Sequence, residues 1–355
     1  MEPRTRWGWA IVYALLLGGS VVFLFPLIWL VATSLKPIEQ TMSMPPSFLP
    51  RAYYATIQGE RREVTLDYQL ADGRWHVTER SPTKVRARQM EQAVVSSDDI
   101  EVRIVPRWEN YRIALRTMGG MSVEEAEGSV PPRQTGYGRD SRVPFWVFLR
   151  NTLLVCMLGV VGTVLSNAIV AYGFARISWR GRDSLFAITL ATMMVPFPVL
   201  MVPLYGVFKW LGWIGTLQPL WVPAFFGSAF NIFLLRQFFR TIPAELSEAA
   251  RIDGCNEWQI FWRIILPLSK PALMVVGLFH FLHSWNDFLG PLLFLTRKHT
   301  FTLAVALQSF QTQAGGVQWH HLMAASAVVI APIIVLFLIA QKALVRGIAT
   351  TGLKG

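Results

Sequence analysis

Residues 241–273 read TIPAELSEAARIDGCNEWQIFWRIILPLSKPAL, and the local chemistry of this stretch is distinctive. Pro243 suits the first position of a helix, and Gly254 suits the left-handed position that follows a helix end. Asn256 can cap a second helix, with Gln259 able to reach back as in a capping box. The stretch therefore predicts two short helices separated by a sharp turn.

One face of the first predicted helix carries small and apolar side chains. Leu246, Ala249 and Ala250 share this face through spacings of three and four residues, and the alanines would let another surface approach closely. Such a face suits docking into a groove of a partner. An amphipathic loop resting on lipid headgroups is the alternative interpretation.

Long apolar runs flank this stretch on both sides. The chain has 355 residues, of which 53% are hydrophobic and 15% charged. Each run is long enough for the roughly 20 residues that cross a bilayer core, and such runs form helices because the backbone must satisfy its own hydrogen bonds in hydrocarbon. We predict an all-α polytopic membrane protein with six transmembrane helices. The runs are 7–35, 151–175, 184–208, 210–235, 271–296 and 321–341.

The distribution of Lys and Arg predicts that both termini are cytoplasmic, because cytoplasmic segments carry the excess of these residues. The net charge of +11 comes from basic residues that flank the membrane segments and attract lipid headgroups. The sequence has no basic stripe with interleaved aromatic residues, which nucleic-acid binding would call for. The segments assigned to the cytoplasm hold Arg4, Arg6, Arg176, Arg180, Arg182, Arg236, Arg240, Arg251, Arg263, Lys270, Lys342, Arg346 and Lys354. The opposite short segments hold Arg150, Lys209, Arg297 and Lys298.

These assignments divide the chain into three parts. Residues 1–35 are a cytoplasmic N-terminus with helix one, residues 36–143 an extracytoplasmic loop, and residues 144–355 the remaining transmembrane core. A β-rich insertion is expected at about 51–105 in the loop. Its signals are alternation in residues 64–70, the Asp72-Gly73 turn and renewed alternation at Trp75 and Val77.

Further alternation at residues 100–104 predicts another strand, and Val94-Val95 is a candidate to pair with this strand. The insertion is therefore expected to form a sheet of three or four strands. Residues 108–118 are predicted to form a short helix.

The spacing E-A-A-x3-G-x9-I-x-L-P resembles the signature of permease subunits of ATP-binding-cassette (ABC) importers. It is met by Glu248, Ala249, Ala250, Gly254, Ile264, Leu266 and Pro267. Other stretches are similar to the carbohydrate branch, which includes maltose and glycerol-phosphate importers. They are TSLKPIEQ at 33–40, PPSFLP at 45–50, RNTLLV at 150–155, AYGFARISWRGRD at 171–183, MMVPFPVLMVPLY at 193–205 and RGIATTGLKG at 346–355.

This resemblance implies a type I importer permease fold in a bacterial cell membrane. It also implies a coupling loop, residues 236–270, whose first helix sits in a cleft of a cytoplasmic ATPase subunit. The residues expected to couple are Glu248, Ala249, Ala250, Asp253 and Gly254. The implied partners are a second permease subunit in a heterodimer, two ATPase subunits, an extracytoplasmic solute-binding protein and a small-molecule sugar.

No G-x-x-x-x-G-K-[ST] phosphate loop occurs in the sequence, so ATP and Mg²⁺ are expected in the partner subunits and this chain is expected to be no enzyme. No cofactor or metal is expected here. His280 and His283 are far in sequence from His320 and His321, and no acidic cluster joins them.

Asp287 is the acidic side chain within a predicted span, and with Trp285 and Asn286 it is the candidate for the solute path. A charge in a membrane helix should face protein or water, and an aromatic ring beside amide and carboxylate groups suits a sugar. The alternative is a polar contact between helices.

Three other functions remain open at this stage. An importer permease for a non-sugar solute has the same coupling loop. A stand-alone secondary transporter would need repeats and ion-coordinating carboxylates, and a membrane-anchored binding module would act through the β-rich insertion.

Overall fold

The computed structural model of the chain describes residues 6–44, 46–80, 92–121, 123–127, 142–310 and 318–351. The chain divides into two units, one of residues 1–145 with 307–331 and the other of residues 146–306 with 332–355.

Fifteen α-helices and five strands occur in the described ranges. The helices are α1 (Arg6–Ser34), α2 (Glu109–Met118), α3 (Val123–Glu127), α4 (Phe145–Arg176), α5 (Arg182–Ala191), α6 (Phe197–Trp210), α7 (Gln218–Trp221), α8 (Ala229–Thr241), α9 (Ala244–Ile252), α10 (Glu257–Ile260), α11 (Leu266–Leu268), α12 (Lys270–Asn286), α13 (Leu289–Phe294), α14 (Leu303–Leu307) and α15 (Trp319–Thr351). The strands are β1 (Arg51–Ile57), β2 (Glu60–Gln69), β3 (Trp75–Glu79), β4 (Gln92–Val95) and β5 (Glu101–Ile104).

The first unit contains an antiparallel sheet with strand order β4-β3-β2-β1-β5. The β2–β3 hairpin follows the predicted alternation, and Gly73 takes the positive φ of +83° that its turn needs. The buried side chains of the sheet are Ala55, Ile57, Val64, Val77 and Val95.

The predicted partner of the fourth strand is wrong. Val95 lies opposite Trp75 on β3, whereas residues 101–104 pair with β1 and form an exposed edge strand. Alternation predicts strands but does not specify their neighbours, and pairing with β3 places Val95 in the sheet core.

The end of α1 is fastened within the same unit by a buried amide. Asn110, in the predicted short helix α2, donates to the backbone oxygens of Ser34 at 2.8 Å and Lys36 at 2.9 Å. The first bond satisfies a carbonyl group that the helix end leaves without an intrahelical partner, and the second binds the backbone just beyond the helix.

Within the described residues, four helices are long and apolar enough to cross a membrane, and the number rises to six if each bent pair counts as one span. The four are Trp9–Ser34, Phe145–Arg176, Gln218–Thr241 and Trp319–Gln341. The bent pairs are Arg182–Met194 with Phe197–Trp210, at 98°, and Glu257–Leu268 with Lys270–Asn286, at 78°.

Two of the predicted runs have different boundaries in the structure. The run 184–208 bends where Pro196 precedes α6, because proline cannot continue the hydrogen bonds of the preceding helix. The run 210–235 becomes helical only at Gln218, since Gly212 and Gly215 take positive φ angles in the intervening loop.

In the core of the second unit, the coupling loop packs against the neighbouring helices. Its largest buried cluster combines side chains of α4, α8, the coupling loop and α12. Representative members are Ala171, Phe239, Ala250, Phe261 and Val276. The loop is therefore held by the packing of the helices around it.

Candidate functional site

The first helix of the coupling loop ends in a tight glycine turn. Gly254 has a φ of +82°, and the amides of Gly254 and Cys255 donate to Arg251 O at 3.1 Å and Ala250 O at 2.9 Å. These are the two bonds of a Schellman motif, in which glycine avoids the steric penalty of a left-handed backbone. The predicted turn at Gly254 is confirmed, whereas Pro243 precedes α9 as its N-cap instead of opening it.

The second helix begins with the predicted capping box. Gln259 N donates to Asn256 Oδ1 at 2.9 Å, and Asn256 N donates to Gln259 Oε1 at 2.8 Å. Residues 261–265 then widen into a π-helical turn before α11. Two short helices thus meet at a rigid turn, as their sequence predicts.

The faces of α9 differ in part from the prediction. Leu246 and Ala249 are exposed, but Ala250 is 6% exposed and packs inward together with Ser247. Ala250 therefore belongs to the core and not to a docking face, because positions 247 and 250 share the side of the helix that faces the protein. Glu248, Asp253 and Gly254 are exposed.

The outer face of α9 is continued by an apolar residue that the sequence analysis missed. Ile252 is 87% exposed at the last position of the helix, and it follows Ala249 and Leu246 at three-residue spacing. Its spacing was the available signal. The exposed stripe of α9 is Leu246, Ala249 and Ile252, beside Glu245 and Glu248.

A polar network ties both halves of the coupling loop to α4. Tyr172 Oη donates to Glu257 Oε2 at 2.5 Å, and Arg251 Nε donates to Glu257 Oε1 at 2.9 Å. The Glu257 carboxylate accepts this hydrogen bond and thereby raises the pKa of Arg251. No sequence signal pairs Tyr172 with Glu257, which lies 85 positions away.

A second link joins the end of α4 to the segment just before α9. Arg176 donates to the backbone oxygens of Phe239, at 2.7 Å, and Ile242. These carbonyls lie at the end of α8, where intrahelical acceptor bonds run out. The sequence predicts only a topological role for Arg176, and these two hydrogen bonds give it a structural role as well.

The three solute-path candidates lie where α12 ends. Trp285 is 2% exposed, Asn286 is exposed and donates to Leu282 O at 2.8 Å, and Asp287 Oδ1 accepts from Gly290 N at 3.1 Å. The Asp287 carboxylate thus closes the turn between α12 and α13. Participation of residues 285–287 in a solute path stays a prediction.

Within the described residues, no group of three or more His, Cys, Asp or Glu side chains is placed to hold a metal ion. His280 is hydrogen-bonded to Thr163, with 3.0 Å between Nδ1 and Oγ1. His320 and His321 lie in contact with each other at the start of α15, with ring centroids 3.9 Å apart.

Several apolar helices with a helix-turn-helix loop between two of them define the class of this protein as a multi-pass membrane protein. The sequence profile of the family described as "Binding-protein-dependent transport system inner membrane component" matches residues 160–350. The chain belongs to this family, which confirms the resemblance drawn from residues 248–267.

Individual relatives agree with this assignment. The arabinooligosaccharides transport system permease protein AraQ of Halalkalibacterium halodurans is 35% identical over 211 residues, which is 59% of this chain and 75% of AraQ. The maltose/maltodextrin permease protein MalG of Escherichia coli is 32% identical over 254 residues, 70% of this chain and 81% of MalG. The sn-glycerol-3-phosphate permease protein UgpE of Salmonella typhi is 34% identical over 214 residues, 60% of this chain and 75% of UgpE.

A solved structure shares the fold over nearly the whole chain. It is described as a bacterial ABC transporter involved in the import of the acidic polysaccharide alginate. The TM-score is 0.63 at 20% identity, with 96% of this chain and 98% of the other covered. At this identity the likeness shows the fold alone, which is that of type I importer permeases.

Proposed function

We propose that this chain is the permease subunit of a binding-protein-dependent ABC importer that carries a sugar or sugar-like solute across a bacterial cell membrane. The observation that carries the proposal is the coupling loop, a solvent-facing helix closed by Gly254 and bonded to α4 through Glu257. The relatives' names, which specify arabinooligosaccharides, maltose and glycerol phosphate, support the solute class.

The proposed assembly contains a second permease as heterodimer partner, two ATPase subunits and an extracytoplasmic solute-binding protein. In the proposed topology each bent helix pair counts as one span, and the resulting six spans put both termini on the same side of the membrane. The Lys and Arg distribution supports the cytoplasm as that side, with residues 51–104 outside. ATP and Mg²⁺ act in the ATPase subunits, because this chain has no phosphate loop.

The proposed mechanism is alternating access driven through α9. Closure of the two ATPase subunits around ATP moves the exposed stripe Leu246, Ala249 and Ile252. The motion passes to α4 through the bond between Glu257 and Tyr172, and it passes to α12 through the shared buried cluster. Glu248, Asp253 and Gly254 complete the surface that meets the ATPase, while Ala250 holds α9 to the core.

Gly254 offers a sharp test because its surroundings leave free space for a side chain. We expect Gly254→Asp to abolish assembly with the ATPase subunits, or stimulation of ATPase activity by loaded binding protein, in the co-purified complex. The substituent would fill space that the ATPase surface needs, and the carboxylate would be desolvated there.

Gly181→Asp is the matched control, since Gly181 also has a positive φ, of +88°, and open space around its Cβ position. Both variants bear similar backbone strain, but only Gly254 lies in the coupling loop. If both variants lost assembly or ATPase stimulation equally, the effect of Gly254→Asp would be a folding defect and not a loss of coupling. Transport by this chain without any ATPase subunit would refute the importer proposal.

A further inference from the structure

A cavity of about 420 Å³ lies in the second unit among α4, α12 and the segment where α8 begins. Its volume is within the roughly 300–1,000 Å³ of ordinary small-molecule pockets. The coupling loop, whose residues begin at 236, contributes none of its lining.

One wall of the cavity is a break in the helical path of residues 218–241. A narrow helical turn ends at Phe226, Gly227 takes a φ of +84°, and α8 starts at Ala229. Two side chains of α4 form hydrogen bonds with the backbone at this break. Asn167 Oδ1 accepts from Ser228 N at 2.7 Å, and Ser166 Oγ donates to Ala224 O at 3.0 Å. In a membrane-embedded protein, irregular backbone of this kind is tolerated where it lines a cavity.

The first turn of α8 presents an unpaired amide at this break. Asn231 lines the cavity and is 8% exposed, and its side chain has no hydrogen-bond partner among the described residues. A buried amide without partners costs free energy, so the group is suited to a ligand that supplies them. The first backbone N–H groups of a helix have no intrahelical acceptor, so the start of α8 beside this cavity also favours an acceptor atom.

The opposite wall is formed by two histidines on α12. His280 is held between Thr163 Oγ1 at 3.0 Å and Ser284 Oγ at 3.2 Å, and a side chain larger than glycine at position 159 would clash with its ring. His283 lies one turn further along the same helix and is exposed. The arrangement combines one fixed ring and one accessible ring.

Aromatic rings complete the lining without adding charge. Phe230 and Phe279 both line the cavity and are each 46% exposed. Among the described residues that line it, none is Asp, Glu, Lys or Arg. Hydrogen-bonding side chains beside apolar rings match the hydroxyl groups and C–H faces of a sugar, whereas the lining offers no Lys or Arg to pair with an anionic solute.

We propose that this cavity is a transit subsite for a neutral polyhydroxylated solute, with Asn231 and His283 as its hydrogen-bonding groups. The inference rests on the proposed sugar import and adds the place in this subunit where the sugar is contacted. It differs from the path predicted at residues 285–287, where Trp285 is buried and Asp287 closes a turn.

The first test is uptake by the complete importer with arabinotriose, maltose and sn-glycerol 3-phosphate as radiolabelled probes. With whichever sugar the wild-type complex transports, Asn231→Ala should raise the KM of uptake about tenfold, the loss expected for one good hydrogen bond. His283→Ala should raise the KM in the same direction. ATPase activity without solute is measured in each variant to establish that the complex has assembled.

Ser184→Ala is the control, because Ser184 is an exposed polar side chain of the same unit that lies neither in the cavity lining nor in the coupling loop. Asn286→Ala tests the competing path. An unchanged KM in Asn231→Ala and His283→Ala, with normal wild-type uptake, overturns the subsite and leaves the importer function intact. A raised KM in Asn286→Ala alone also overturns it.

The second test reports occupancy without relying on transport rate. Ser228→Cys in a Cys255→Ser background places a thiol on the cavity wall, while the remaining native Cys156 is buried. Saturating sugar should slow maleimide labelling of this thiol in the purified complex, and sn-glycerol 3-phosphate should not. Labelling that sugar leaves unchanged refutes the subsite.

Failure of the proposed function has a different signature. If no probe is taken up by the wild-type complex and none stimulates its ATPase activity, sugar import itself is wrong, and the subsite falls with it. Uptake of sn-glycerol 3-phosphate alone would also overturn the subsite, because its phosphate carries a charge that the cavity does not match.

Discussion

Tyr172 shows how one hydroxyl group connects a transmembrane helix to the coupling loop. Its bond to Glu257 measures 2.5 Å, and the two rings of Tyr172 and Phe261 lie 5.1 Å apart in the same contact. The ring contact holds the helices together, whereas the hydroxyl fixes their register. Glu257 in turn orients Arg251 at the end of α9.

We expect Tyr172→Phe to keep assembly of the importer but to weaken coupling. The lost hydrogen bond should lower the free energy of unfolding by about 1 kcal/mol and reduce solute-stimulated ATPase activity. Tyr205→Phe is the control, since Tyr205 lies on α6 and has no hydrogen-bond partner among the described residues. If Tyr172→Phe kept full solute-stimulated ATPase activity, the hydrogen bond between Tyr172 and Glu257 would not transmit the motion of α9.

Lys36 is a buried cation just beyond α1. Its side chain is 0% exposed, its Nζ lies 4.1 Å from the centroid of the Trp29 ring, and it has no hydrogen-bond partner in the described part of the chain. Burial lowers the pKa of Lys36 below its ordinary 10.5. The protonated Lys36 side chain therefore destabilises the folded state relative to the unfolded state.

We expect Lys36→Met to raise the melting temperature of the complex at neutral pH, because it keeps apolar contact with Trp29 and removes the buried charge. In the wild type, the charge penalty is complete below the lowered pKa and disappears as pH rises toward 10.5. The gain from Lys36→Met should therefore shrink between neutral pH and pH 10.5. Lys270→Met, at an exposed site, should show no such change.

At the scale of elements, the coupling loop depends on how its short helices begin and end. α10 contains only four residues, too few to be stable alone, so its first turn relies on the capping box and on packing of Ile260 and Phe261. The Gly254 turn and the Asn256 cap are adjacent. Together they fix the angle at which α9 leaves the core.

Asn256→Ala should loosen this turn without unfolding the protein. Loss of the cap costs about 1 kcal/mol, so the Gln259 amide should exchange its hydrogen about fivefold faster in the purified complex. Asn256→Asp keeps an acceptor oxygen at the same position and should exchange at nearly the wild-type rate. Equal exchange in the alanine and aspartate variants would show that packing alone holds the turn.

At the scale of the whole molecule, the orientation of the chain in the membrane decides whether the coupling loop can meet a cytoplasmic ATPase subunit. The proposed topology places β5 outside the cell and the loop between α4 and α5 in the cytoplasm. Val102 is 53% exposed and Arg180 is also exposed, so both are accessible to a reagent.

We expect a membrane-impermeant maleimide to label Val102→Cys in intact cells or spheroplasts, and to label Arg180→Cys only after the membrane is opened. A Cys255→Ser background removes the half-buried native thiol, and Cys156 is buried. The parent without either new cysteine is the control. The reverse labelling pattern would invert the topology and contradict the placement of the coupling loop.

The sequence by itself determined the class of the protein and the local form of its coupling loop. Apolar runs specify membrane helices because length and hydropathy are properties of single segments, and Gly254 and Asn256 act on neighbouring backbone groups. These features need no distant partner.

Only the tertiary structure decided which segments meet. Three contacts join positions that sequence patterns do not relate to each other. They are the pairing of β4 with β3, the hydrogen bond from Tyr172 to Glu257 and the hydrogen bond from Ser228 N to Asn167 Oδ1. The inward face of Ala250 and the cavity beside Asn231 depend on the same long-range packing. A side chain's neighbours across helices or strands are set by how whole elements pack, so local residue chemistry does not specify them.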